Sequence, residues 1–554
     1  MERMKQKLGK LNKVCVIIAC IHWLLSFFTD RLIFSYVAFD FHETILALKS
    51  IVMLLAKFGF LPVLIVFWQV VYWLVKKADR RFVRFFVIYG AIQIMLLLLT
   101  WPGIWRIDEF GILSSACKLL PVFWQNYITS VFYIYALMLV PVPAGVIMAQ
   151  MFVNSLIAAY IASHTEQLLW ERTSKWGYLL LLPFLFFPVL DSNLYPMRMS
   201  VYAFLELYVL FLLFELFEAK KHMAAAKRPQ MTEAVCGKGA DITKLVQVAL
   251  FGAIVAVWRT EGIYYLVMLP ILITIIFWND RKRAWFRNVV ISFCALTLLL
   301  FGVQAVGGRL TSGNSYDLTS VVLPVVPLIE RAYEEDSAEA EQLLAQIDKV
   351  LSVEEAYKGV KAGKNGISLF WSNEKFIRDY TNEEYAAFKH AFYQLVLRYP
   401  GTFLKERMTC FAESTTLLDN TTELFTKEGN QNYDTFRTYP LSGPIHNETR
   451  TSVIKMLELR SAEDYNKTLT AYGIVYSHII PIVLLVAAII ICLVKKRGIY
   501  SLLLLAPCCK VPLIFLTAPS RLFMYYYSVY LIGWVVAIYG VTAFVCKRRR
   551  MRHE

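Results

Sequence analysis

Stretches such as Ile92–Leu99, Tyr178–Leu190 and Ile479–Val494 are apolar almost without interruption, and similar runs recur along most of the 554 residues. A helix crosses the hydrocarbon core of a bilayer with ~20 apolar residues, because only an internally hydrogen-bonded backbone survives there. The runs predict spans near 14–28, 56–75, 83–100, 144–163, 177–190, 200–217, 245–258, 263–278, 287–306, 472–494, 499–518 and 522–545. Residues 128–140 are left between two readings, a short span and a dip into the outer leaflet, because Pro141 and Pro143 cut them from the next run. Composition agrees. The chain is 58% hydrophobic and 18% charged, where soluble domains lie near ~45–50% and ~25%. The expected fold class is therefore an all-α integral membrane protein of about twelve spans with a mainly helical extracytoplasmic domain. Arg3, Lys5, Lys7, Lys10 and Lys13 precede the first run, and no small-residue cleavage site follows it, so it reads as a retained anchor.

Charge orients the spans. Lys76, Lys77, Arg80, Arg81 and Arg84 fall in one set of loops, with Lys220, Lys221, Lys227, Arg228, Arg281, Lys282, Arg283, Arg287, Lys495, Lys496, Arg497 and the tail Lys547–Arg550. The opposite short loops hold scattered cations: Arg31, Lys49, Arg106, Lys118, Arg198, Arg259 and Arg521. The positive-inside rule then puts both termini in the cytoplasm of a multi-pass plasma-membrane protein. Residues 304–470 carry 18 Lys/Arg against 24 Asp/Glu, a balance of −6, and the rest of the chain carries +21. That split matches orientation against anionic membrane lipid and argues against a nucleic-acid partner. The division expected is 1–303 as a multi-span domain with an outer loop at 101–127, 304–470 as the extracytoplasmic domain, and 471–554 as the last spans and basic tail.

Within 304–470, Leu323–Val360 and Asn382–Leu397 are predicted helical, the second ending at Arg398-Tyr399-Pro400-Gly401, while 420–447 reads as loop. The ten cysteines lie mostly inside apolar runs, with no CxxC pair and no Cys/His cluster at zinc spacing, so neither a disulfide framework nor a structural metal is expected. Asn420, Asn447 and Asn466 fit a glycosylation sequon that a Thr-rich segment produces often by chance.

Four outer turns hold the residues able to do chemistry. Trp101-Pro102-Gly103 ends a span and leads into Asp108 and Glu109, with both tryptophans suited to headgroup level. Trp258-Arg259-Thr260-Glu261-Gly262 sets an Arg and a Glu between two spans, where they must pair or face a polar cavity. Asp191 to Arg198 forms a third turn, and Thr517 to Arg521, followed by Tyr525, Tyr526 and Tyr527, a fourth. The bland readings are an acid pair beside an aromatic belt, a snorkelling Arg259 and a helix-capping Glu261. The sharper one is a surface offering carboxylates and arginines together.

The order of these parts resembles the GT-C superfamily of membrane glycosyltransferases, and more narrowly bacterial relatives of the family 39, protein mannosyltransferase-like type. The likeness rests on WPGIWRIDE (101–109), RMSVYAFLELYVLFLL (198–213), WRTEG (258–262), VVLP (321–324), RYPGTFLKE (398–406) and APSRLFMYY (518–526). It implies a GT-C-like architecture and transfer of a sugar from a polyprenyl-phosphate donor to a hydroxyl of a cell-envelope glycan, lipid or protein acceptor. The resemblance makes Asp108 the base, with Glu109 as neighbour or substitute. Arg259, Glu261, Arg521, Asp191 and Arg198 are the expected substrate-binding residues. No cofactor is required, and a divalent cation is left open. One position departs from the pattern: Met199 stands where relatives often carry an Asp after the Arg, and Asp191 is the nearest replacement. Two rival classes stand beside this reading, a Wzy-like polysaccharide polymerase or ligase that relies on outer-loop arginines, and a non-enzymatic lipid-sugar flippase or transporter. Lys510, between Pro507 and Pro512, is the one strong mid-span break expected.

Overall fold

The computed structural model describes residues 12–34, 46–170, 173–225, 240–311, 318–414, 431–461, 463–464, 467 and 471–553. The N-terminal cations up to Lys10, Lys227, Arg228 and the sequons at Asn420 and Asn466 lie outside them; Asn447 opens the helix Asn447–Leu457. The described residues are helical, with no strand among them and one isolated antiparallel bridge between Leu351 and Ile377. The chain divides into two compact units, one of residues 1–306, 419–508 and 527–554, the other of residues 307–418 and 509–526. The segment 304–470 is thus shared between them.

Nine of the described helices are long and apolar enough to cross a membrane, and a bent pair adds a tenth. Two shorter apolar helices, Ile242–Trp258 and Thr260–Ile276, fall on the predicted runs 245–258 and 263–278; Tyr127–Leu139 falls on the ambiguous one. The first unit buries small and polar residues together with large apolar ones such as Phe85, Phe204 and Leu212, and leaves further large apolar side chains exposed on its peripheral helices. Ala144–Leu169 and Arg198–Lys221 are central, 67% and 72% buried over their most apolar windows, against 11% for Val52–Lys76. Ala158, Ala159, Ala162, Ser155 and Ser163 let the central helix approach its neighbours closely. Leu55, Val66, Leu298, Leu299 and Val494 stand exposed on peripheral helices. So much exposed apolar surface on long apolar helices suits lipid and not water as the surrounding solvent.

One predicted span is not continuous. A tight helical run, Lys175–Leu185, meets the helix Phe187–Leu194 at a 60° bend. Pro183 and Pro188 flank the break, each lacking the N–H that would carry a helix through. The carbonyls at the far end of the second helix are satisfied from elsewhere. The Gln150 amide donates to the carbonyls of Asn193 (3.1 Å) and Tyr195 (2.7 Å), and the Ile104 N–H donates to that of Leu194 (2.9 Å). Lys510 does mark a break, since the helix Gly498–Cys508 gives way at Cys509 to Lys510–Thr517, but the two still pass as one candidate span and the sharper bend lies at Phe186.

The second unit packs five helices around Thr319–Glu335: Ala338–Ile347, Val353–Lys361, Gly366–Ser372, Asn382–Arg398 and Pro400–Glu413. Val322, Val326, Leu328, Ile329, Phe388 and Leu395 are among its buried core residues. A capping box between Thr381 and Glu384 starts Asn382–Arg398. The Tyr-Pro-Gly that ends this helix also begins the next, because proline at a first helical position needs no N–H partner. In the first unit, part of the stretch read as loop is helical, as Gln431–Arg437.

Candidate functional site

The turn after Leu99 is built for close packing. Gly103 has φ +93°, and a Cβ there would run into the Ile147 side chain and the Leu194 carbonyl. Only glycine meets both demands. Trp101 donates its indole N–H to the Leu441 carbonyl (2.8 Å). Trp105 is completely buried, against Phe110, Tyr133 and Phe436, so it is a packing anchor and not part of a headgroup belt.

Asp108 and Glu109 occupy the first turn of the helix Ile107–Cys117, where carboxylates face the positive end of the dipole. Neighbouring helical positions point ~100° apart, and the two acids go separate ways. Asp108 keeps exposed surface and accepts from the Gln125 amide (3.1 Å). Protein surrounding it on most sides pushes its carboxyl above the ordinary range, against the pull of Arg198, Arg106 and Gln125. Glu109 is buried, and its Oε2 lacks a hydrogen-bond partner among the described residues. Burial, followed by the neighbouring Asp108 charge, pushes its carboxyl up to about 7.

Arg198 donates to the Gln125 carbonyl. Arg106 lies over the Tyr195 ring, 5.1 Å from its centroid, and leaves Nε and Nη2 without a partner among the described residues. Behind it Asp191 is fully buried, with neither carboxyl oxygen hydrogen-bonded among the described residues, within electrostatic range of Glu458, Arg106 and Arg460. Glu458 accepts from the Tyr195 hydroxyl and from Arg460, both at 3.1 Å.

The hairpin at 258–262 reaches the same neighbourhood. Arg259 pairs with Glu261, both buried, and lies 5.9 Å from the Tyr202 ring centroid. This is the pairing that the membrane demanded of them. Trp258 donates to the Thr129 hydroxyl (3.0 Å), and Asn126 donates to the Val257 carbonyl (2.7 Å). Residues 125–129 therefore tie Asp108, Arg198 and the Arg259 hairpin together, and no sequence motif singled them out. The one local signal is Asn126, at φ +72° while capping Tyr127–Leu139, a conformation asparagine tolerates better than most residues. Gln304 also serves this segment, donating to the Phe123 carbonyl (2.7 Å) and accepting from the Tyr127 N–H (3.1 Å).

Glu206 was missed as well. It is a buried acid within the apolar helix Arg198–Ala225, and Tyr265 donates to it at 2.8 Å. Its signal was in plain view, a carboxylate inside a span. Arg521 belongs to the other unit and is not an isolated cation: it pairs with Glu406 (2.9 Å) and Glu413. Among the described residues no group of three or more His, Cys, Asp or Glu is placed to hold a metal ion. No protein-family model, curated protein or solved structure matches this chain.

Proposed function

We propose that the chain is a glycosyltransferase that moves a sugar from a polyprenyl-phosphate carrier to an acceptor hydroxyl at the outer membrane surface. One observation carries the reading: Asp108 is a solvent-reachable carboxylate that shares its surroundings with Arg198, Arg106 and the Gln125 amide. A carboxylate whose proton affinity is raised by its surroundings is a better proton acceptor than an ordinary one. In the reaction proposed, Asp108 takes the proton of the acceptor hydroxyl as its oxygen bonds to the anomeric carbon. The bond from that carbon to the carrier phosphate breaks, and the phosphate leaves as an anion. Arg198 is suited to receive that charge, since a guanidinium binds phosphate by paired hydrogen bonds and no proton donor is then needed. Arg198 is also the cation that acts most strongly on the Asp108 carboxyl, which favours it over Arg259 and Arg521 for this role.

The test is Asp108→Asn in full-length protein supplied with radiolabelled polyprenyl-phosphate sugars. Transfer of label from the lipid should fall ~10²–10⁴-fold, the usual contribution of a general base, with donor binding and membrane insertion retained. Full turnover by the variant would sink this assignment and favour the polymerase class, which depends on outer-loop arginines. The broken span at Phe186 lends the transporter reading a specific observation, because discontinuous helices line substrate sites in many transporters. Movement of label across sealed vesicles without its release from the lipid would identify that case.

A further inference from the structure

In the second unit, the helix Pro400–Glu413 has two faces of different character. One is clamped to the turn at 515–526. Arg407, fully buried, donates to the Ala518 carbonyl at 2.8 Å, and the Cys410 thiol approaches the Ser520 carbonyl at 3.6 Å. Glu406 and Glu413 hold Arg521, and Phe411 meets Phe515 and Tyr526 edge-on. The opposite arc, roughly 100° wide by helical geometry, bears Gly401, Leu404, Lys405, Met408 and Ala412, all exposed and none acidic. Leu404 and Met408 are 49% and 57% exposed. The preceding helix, Asn382–Arg398, adds Tyr393 and Leu397, 62% and 75% exposed, with Lys389 one turn earlier.

The clamped face fixes where the apolar one must lie. The carbonyls that Arg407 and Cys410 approach follow Lys510–Thr517, the closing half of the candidate span Gly498–Thr517. Leu516, in the last turn of that span, is itself exposed. A helix locked against the end of a membrane span lies at the level of the bilayer surface. There a face of Leu, Met and Tyr edged by lysines matches an interfacial helix, its apolar side in the acyl boundary and its ammonium groups among headgroups.

We propose that Pro400–Glu413, with the end of Asn382–Arg398, is an interfacial helix whose Leu397, Leu404 and Met408 face is covered by lipid. The occupant is the bilayer, because the helix is clamped to the turn that closes a lipid-length helix and its apolar face carries cations without carboxylates. The inference is independent of glycosyl transfer and holds whatever the first unit catalyses. It also accounts for Arg407, which holds the helix to the membrane-spanning segment so that it can neither rotate nor lift.

Photo-crosslinking separates the outcomes. Full-length protein with p-benzoylphenylalanine replacing Met408 is reconstituted into phosphatidylethanolamine–phosphatidylglycerol vesicles, irradiated and analysed by mass spectrometry. A second protein carries the probe at Leu404, in case the first does not fold. A third carries it at Glu354, an exposed residue of the same unit away from the patch. Phospholipid adducts at 408 or 404, absent at 354, are expected. Chain-to-chain adducts in place of lipid would assign the patch to a second copy. Lipid adduct no greater at 408 and 404 than at 354 would show a water-facing helix. Either result overturns the proposal.

Discussion

Replacing Glu109 by Gln tests the geometry around the proposed base without touching the base. The Glu109 carboxyl moves from its ordinary 4.5 to about 7 in the folded protein. Each pH unit of such a change is worth ~1.4 kcal/mol, so ionising it in place costs about 3 kcal/mol. The sign follows from proton binding. Between pH 4.5 and 7 the folded chain holds a proton that the unfolded chain has lost, so stability falls as pH rises through that window. Below 4.5 both states are protonated and the cost vanishes. Gln is neutral throughout. Glu109→Gln should therefore stabilise the detergent-solubilised protein by up to about 3 kcal/mol near pH ~8, with the gain shrinking steadily toward pH 4.5. Thermal unfolding of the parent protein and the variant across that range measures it. The neighbouring Asp108 charge is the second cause of the shift, so in an Asp108→Asn background the gain should be smaller. A stability difference between the parent protein and Glu109→Gln that does not vary with pH would refute the inward placement of this carboxyl.

Gly103→Ala should destabilise the protein by ~1–3 kcal/mol, since it strains a positive φ and meets the Ile147 side chain and the Leu194 carbonyl; a lowered unfolding midpoint in detergent reads this out, and an unchanged one contradicts the packing of the turn. Lys57 and Asp30 form a fully buried ion pair at 2.8 Å between the first two candidate spans. Lys57→Met should cost ~3–5 kcal/mol by stranding the carboxylate, and Lys57→Met with Asp30→Leu should recover much of it; protease resistance of the folded bundle ranks the three proteins, and a double variant no better than the single would defeat the argument. The proposed orientation is checked with single cysteines in intact cells. Those near Lys221 and Lys496 should be shielded from an impermeant thiol reagent and one near Glu354 labelled, and the reverse pattern would move every proposed site to the cytoplasmic face.

The apolar runs were legible because a bilayer imposes length and composition locally, one helix at a time, although of the twelve expected spans the described residues supply nine helices long enough to cross and a bent pair. Each predicted run falls on a described helix, the bent pair or a short apolar helix. The stop at Trp-Pro-Gly and the helix start at Thr381 were local in the same way, written in residues a few positions apart. What the Pro-flanked turn at Phe186 becomes was not, since a proline only removes a hydrogen bond and the neighbours decide whether the chain bends. The sites depended still more on distance along the chain. Asp108 and Glu109 are adjacent and alike in sequence, and only the packing around Trp105 and Phe110 turns one toward water and buries the other. Gln125 reads as an ordinary polar residue until Arg198, 73 positions away, and Asp108 close on it. Arg521 looked isolated because its carboxylate partners lie more than a hundred residues upstream. Local spacing specifies what each helix is made of. Charge pairing and burial act between helices, so they exist only once the tertiary structure has brought distant segments together.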